Sequence, residues 1–153
     1  MEGYETPPIA GPGAIGHLAA IAIGAYTDIT AIYGPAEAAY GDLVSVEVRV
    51  RNLSGSPIYI STMGRYDGID FALNPEYASV EAGLTQSFTY SFYMPNNDVR
   101  LDVWTFYWTG TEWYQDDHEY VAIALAVPPE VYAGTISRKE VEYDGSRAGI
   151  PAY

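Results

Sequence analysis

The clearest pattern along the chain is an alternation. In "LVSVEVRVRN", Val44, Val46, Val48 and Val50 alternate with Ser45, Glu47, Arg49 and Arg51. A period of two puts the valines on one face of a strand and the polar groups on the other, as in a sheet with one wet side. "SFTYSFYM", residues 87–94, repeats it, with Phe88, Tyr90, Phe92 and Met94 set against Ser87, Thr89, Ser91 and Tyr93. "IYIST" begins a further strand after the break "SGSP" at 54–57. "VRLDVWTFYW" and "WYQDDHEYVAIALAV" flank the turn "TGTE", while "PNND" at 95–98 and "GRYDGID" at 64–70 are turn-rich connections. In "HLAAIAIGAYTDITAIY", residues 17–33, Ile21, Ile23, Ile29 and Ile32 favour a strand and the alanines leave a helix open. "GPAEAAYGD", 34–42, reads as a kinked edge segment, since Pro35 is tolerated only at an edge. About seven strands follow, with no convincing amphipathic helix, and this spacing predicts an all-β, antiparallel two-sheet sandwich. Its expected core is Val44, Val46, Val48, Val50, Ile58, Ile60, Phe88, Tyr90, Phe92, Leu101, Val103, Val121, Ile123 and Leu125.

The pattern fades at both ends. Residues 1–15, "MEGYETPPIAGPGAI", are rich in Pro and Gly, and "VPPE" at 127–130 stops the last ladder. The expected organisation is an extended N-terminal arm over 1–27, a sandwich over 28–127 and a C-terminal arm over 128–153. "AAIAIGAYTDI" would be an aggregation hazard if left unpaired. Ile15, Leu18, Ile21 and Ile23 are therefore the expected assembly contacts of the arm, which could add a strand to an open sheet edge in the same chain or in a neighbour.

Composition narrows the function classes. Hydrophobic residues make up 48% and charged residues 18% of the 153, so one packed domain is possible. The formal charge of −13, with only Arg138-Lys139 as a dense basic spot, argues against nucleic acid as a partner. The apolar run 14–25 is too short and too rich in small residues for membrane insertion. The absence of cysteine excludes disulfides and thiolate chemistry. The first basic residue is Arg49, so no signal peptide is visible at the N-terminus.

Between about Ile29 and Val127 lie "GDLVSVEVRVRNLS", "VEAGLTQSFTYSFYMPNNDVRLDVWTFYW" and "VAIAL". In these segments the chain resembles bacterial and phage immunoglobulin-like domains, including the CARDB-like adhesion modules. "SFYMPNNDV" is similar to a strand end and turn of many such domains, and the tail "GTISRKEVEYDGSRAGIPAY" is similar to the ends of small virion proteins of environmental tailed phages. The resemblance implies an immunoglobulin-like sandwich and brings no catalytic residues. The expected function is that of a non-enzymatic structural protein, a subunit of a homo-oligomeric assembly at a virion or extracellular surface. A phage decoration or tail-associated protein comes first, with an extracellular filament, a surface layer or a carbohydrate-binding adhesion module as alternatives.

Candidate sites are few. No G-x-S-x-G elbow, phosphate loop or HExxH spacing occurs, and no cofactor is expected. His17 and His118 stand alone in sequence. Asp67, Asp70, Asp116 and Asp117 are weak calcium candidates, because a calcium ion needs six to eight converging oxygens and adjacent carboxylates on a strand point to opposite faces. The bland reading makes Asp116 and Asp117 a solvated bulge. On the strand from 100 to 108, Leu101, Val103, Thr105 and Tyr107 fit the core, which leaves Trp104, Phe106 and Trp108 on the outer face. Trp113 and Tyr59 would flank them. An aromatic row of this kind marks a ligand or subunit contact. The expected cover is protein, an arm or another subunit, ahead of a glycan; the alternative is that the face switches near Tyr107 and Trp104 packs inside.

Overall fold

The computed structural model describes residues 6–13 and 24–127. It contains β1 (Thr27–Tyr33), β2 (Glu37–Ala39), β3 (Leu43–Asn52), β4 (Ile58–Tyr66), β5 (Ile69–Val80), β6 (Thr85–Tyr93), β7 (Val99–Trp108) and β8 (Trp113–Ala126). Neighbours follow the order β1-β3-β6-β5-β4-β7-β8-β2. The ribbon curls into two layers, β1-β3-β6 and β4-β7-β8-β2. β5 joins them, pairing with β4 along most of its length and with β6 only at Asn74 and Thr89. β5 thereby departs from the constant-type immunoglobulin order, in which the corresponding strand belongs to the sheet of β1-β3-β6.

The two layers are stitched at one edge by β1 and β2. β1 pairs antiparallel with β3, the chain kinks at Gly34-Pro35, and β2 then pairs parallel with β8. The parallel pair departs from a wholly antiparallel sheet, because a strand that changes layers keeps its direction. Pro35 sits between the ladders, where a missing N–H costs nothing.

The alternation in β3 and β6 has the expected result. Val44, Val46, Val48, Val50, Phe88 and Phe92 are buried against Ile58, Ile60, Leu101, Val103 and Ile123 of the other layer. Tyr90, Val121 and Leu125 only flank this core. Met94, Val99, Phe71, Leu73 and Val80 add to it. Asn52, wholly buried, closes the rim. Its amide nitrogen donates to the carbonyls of Ser56 and Val80, and its amide oxygen accepts from the Ser54 N–H.

The stretch 64–70 is mostly strand. β4 and β5 form a hairpin whose two-residue turn, Asp67-Gly68, has φ of 50° and 74°, the left-handed pair of a type I′ turn. β5 continues through Pro75, where the sequence reads poorly as strand. Its register with β4 breaks between Ser61↔Tyr77 and Met63↔Ala72, so Pro75 lies in the excursion.

Candidate functional site

The outer face of β5-β4-β7-β8 carries the aromatic row. Met63, Trp104 and Phe106 form a cluster separate from the main core, with Trp113 against it. Trp104 is 4% and Phe106 7% exposed. The row is therefore not bare, contrary to what alternation alone suggests for an outer face. Trp104 stacks on the His118 ring at 4.6 Å, and its indole N–H is buried with no partner among the described residues. His118 in turn meets Asp102, Nε2 to Oδ1 at 2.8 Å.

At the other end of this face Trp108 and Trp113 meet edge to face at 5.3 Å, and Tyr77 of β5 lies 6.0 Å from Trp113. Tyr59 packs edge-on to Tyr77 at 5.7 Å. Residues 6–13 are seated here. The Trp108 indole N–H donates to the Thr6 carbonyl at 2.8 Å, the Tyr77 hydroxyl to the Pro8 carbonyl at 2.6 Å, and the Trp113 indole N–H to the Ala10 carbonyl at 2.9 Å. The Gly11 N–H donates to Glu76 Oε2 at 2.8 Å, and the Thr6 hydroxyl to the Gly110 carbonyl at 3.2 Å. Pro8 is buried. Ile9 points away, 99% exposed. Tyr77 and Glu76 did not stand out in the sequence, because the strand that carries them is masked by Pro75. The Pro7-Pro8 pair, uncharged and beside an aromatic-rich domain, was the available signal.

Asp116 and Asp117 are buried, which corrects the solvated-bulge expectation. Trp104 pairs with His118 and Phe106 with Gln115, so Thr105 faces both aspartates across a bulge. The bulge swings both carboxylates toward the start of β1. Asp116 accepts the N–H groups of Ala25, Tyr26 and Thr27 and the Thr27 hydroxyl. Asp117 Oδ2 accepts the Ile29 N–H at 2.8 Å. The Thr27 and Thr105 hydroxyls bond at 2.6 Å, and Thr105 Oγ accepts the Asp117 N–H at 2.8 Å. Their oxygens serve as main-chain acceptors, and residues 25–27 are tied to the sandwich, inside the span expected to be arm. Asp70 pairs with Arg65 on the β4-β5 hairpin, and Asp67 is 3.5 Å from the Asn97 amide. Among the described residues no three His, Asp or Glu side chains are grouped to hold a metal. Ile15, Leu18, Ile21 and Ile23 lie outside the described residues, as does the arm 128–153. No described helix is long and apolar enough to cross a membrane.

No protein-family model matches the chain, and no curated protein sequence matches it. Among solved structures it is similar to Pseudomonas fluorescens alkylpurine DNA glycosylase AlkC bound to DNA containing an abasic site analog, with 14% identity over 66% of this chain and a TM-score of 0.49. The match spans 31% of the glycosylase's length. It is also similar to the CARDB domain of a Pyrococcus furiosus protein in complex with di-metal ions, with 14% identity, 68% of this chain and 92% of that one covered, and a TM-score of 0.47. The Bacillus subtilis sporulation control protein Spo0M matches at 16% identity over 66% of this chain and 50% of its own, with a TM-score of 0.34. The DNA and the metal ions belong to those proteins.

Proposed function

We propose that this chain is a non-enzymatic structural subunit, an immunoglobulin-like sandwich that joins copies of itself through its arms. In the finer reading the assembly is a phage virion, with the chain a decoration or tail-associated protein on its surface. The seat of residues 6–13 carries the proposal. Three aromatic side chains from three strands hold an extended arm by its carbonyls. Contacts to main chain of this kind serve a neighbour's arm equally well. A glycan-binding module has less support, since Trp108 and Trp113 spend their N–H groups on the arm.

Size-exclusion chromatography with light scattering tests the reading, followed by electron microscopy of the pure protein. The full chain should run as an oligomer. A variant lacking residues 1–13 should keep its β-sheet circular dichroism and lose the oligomer. A full chain that stays monomeric at every concentration would sink the idea.

A further inference from the structure

The groove made by Tyr77, Trp108 and Trp113 has a chemistry of its own. Its three donors come from β5, β7 and β8 and meet the carbonyls of alternate residues, Thr6, Pro8 and Ala10. Among the described residues the one side chain bonded to an arm N–H is Glu76, on Gly11. A proline-rich strand suits this arrangement, because Pro7, Pro8 and Pro12 have carbonyls to offer and no N–H to satisfy. Proline also fixes the backbone before binding, and the residue preceding it is held extended. Less ordering entropy is then lost on docking. The buried Pro8 ring beside exposed Pro7 and Ile9 marks the residue whose shape is read.

We propose that this groove is a receptor for a proline-rich segment, and that a second copy's residues 6–13 take it by arm exchange. The second half rests on the assembly reading above. The described bonds that seat the arm are made within residues 6–11, so this part of the groove reads nothing that distinguishes its own arm from a neighbour's. "TPPIAGPG" carries no charge, in a chain of net −13, so the segment itself adds nothing to the repulsion between copies. The link 14–23 is also uncharged apart from His17, and fully extended its ten residues reach up to about 33–36 Å. That is several times the spacing of roughly 5 Å between strands. In an exchanged pair Ile9, 99% exposed, would stand on the outer side of the seated arm.

The full chain with Pro7→Ala and Pro8→Ala tests the groove. Its tryptophan emission should shift to the red and become more open to acrylamide. Added peptide of residues 6–13 should restore the shielding, and the same peptide with alanine at both prolines should not. Unchanged shielding in the variant, or equal effects of the two peptides, overturns the proline receptor. The exchange needs a separate measurement on the intact arm. The chain has no cysteine, so Ile9→Cys carries a single nitroxide. Mixed with an unlabelled chain, it should quench that chain's tryptophans. Peptide capture without such quenching, under conditions where scattering shows an oligomer, overturns the second-copy occupant and leaves the assembly reading standing. A monomer by scattering sinks the assembly reading and leaves the peptide result to judge the groove.

Discussion

At Gly64 the space normally taken by a Cβ is filled by an aromatic ring. A Cβ there would come within 2.2 Å of Phe71 Cζ, and Phe71 is itself stacked on Tyr90 at 3.7 Å. Gly64→Ala should therefore cost about 1–3 kcal/mol by overpacking, read as a lower midpoint in urea. A neutral result would show that the Phe71–Tyr90 stack can slide. Two phenols give the molecule an alkaline limit. Burial is the first cause that raises the pKa of Tyr66 and Tyr107, with Tyr90 and Tyr26 respectively adding to it as neighbouring phenols. A phenol whose pKa is higher folded than unfolded stabilises the fold while protonated. That contribution is complete below the unfolded value, about pH 10, and is lost as pH rises through the raised folded value. The denaturation midpoint should fall across that window, in step with phenolate absorbance. A midpoint that ignores the titration would separate these phenols from stability.

Among the elements, β1 depends most on side chains. Its entry is held by Asp116 and Asp117 from β8, in addition to its ladder with β3. Asp116→Ala leaves three main-chain N–H groups and the Thr27 hydroxyl without their acceptor. At about 1–3 kcal/mol for each buried group left unpaired, the Thr27 N–H and hydroxyl alone should make the loss at least ~2 kcal/mol, since Ala25 and Tyr26 can turn to water. Amide exchange should rise first over residues 25–29. A loss confined to β8, with β1 still protected, would mean the clamp does not hold that strand. This clamp was hidden in the sequence for a definable reason. Alternation assigns neighbouring residues to opposite faces, and only the bulge opposite Thr105 lets two adjacent aspartates serve one edge. β5 was hidden by Pro75. The inner faces of β3, β6 and β7 were legible because their period of two is unbroken where the core needs it.

For the molecule as a whole, the two layers of strands follow from strand spacing and turn residues, while the strand order and the aromatic site follow from contacts far apart in the chain. Trp113 and Ala10 are separated by 103 positions. Local pattern places Trp104, Phe106 and Trp108 on one face, but what lies over that face depends on where an irregular, proline-rich arm comes to rest. The crossing from β1 to β2 bears on how the sandwich would answer a pulling force. A pull between the two ends of the sandwich draws β2 and β8 along their length in opposite directions. As a parallel pair, Glu37–Ala39 against Ala124–Ala126, they would be sheared, with their bonds strained together and not peeled in turn. The three-residue ladder that closes this edge of the sandwich would thus lie in the path of that force.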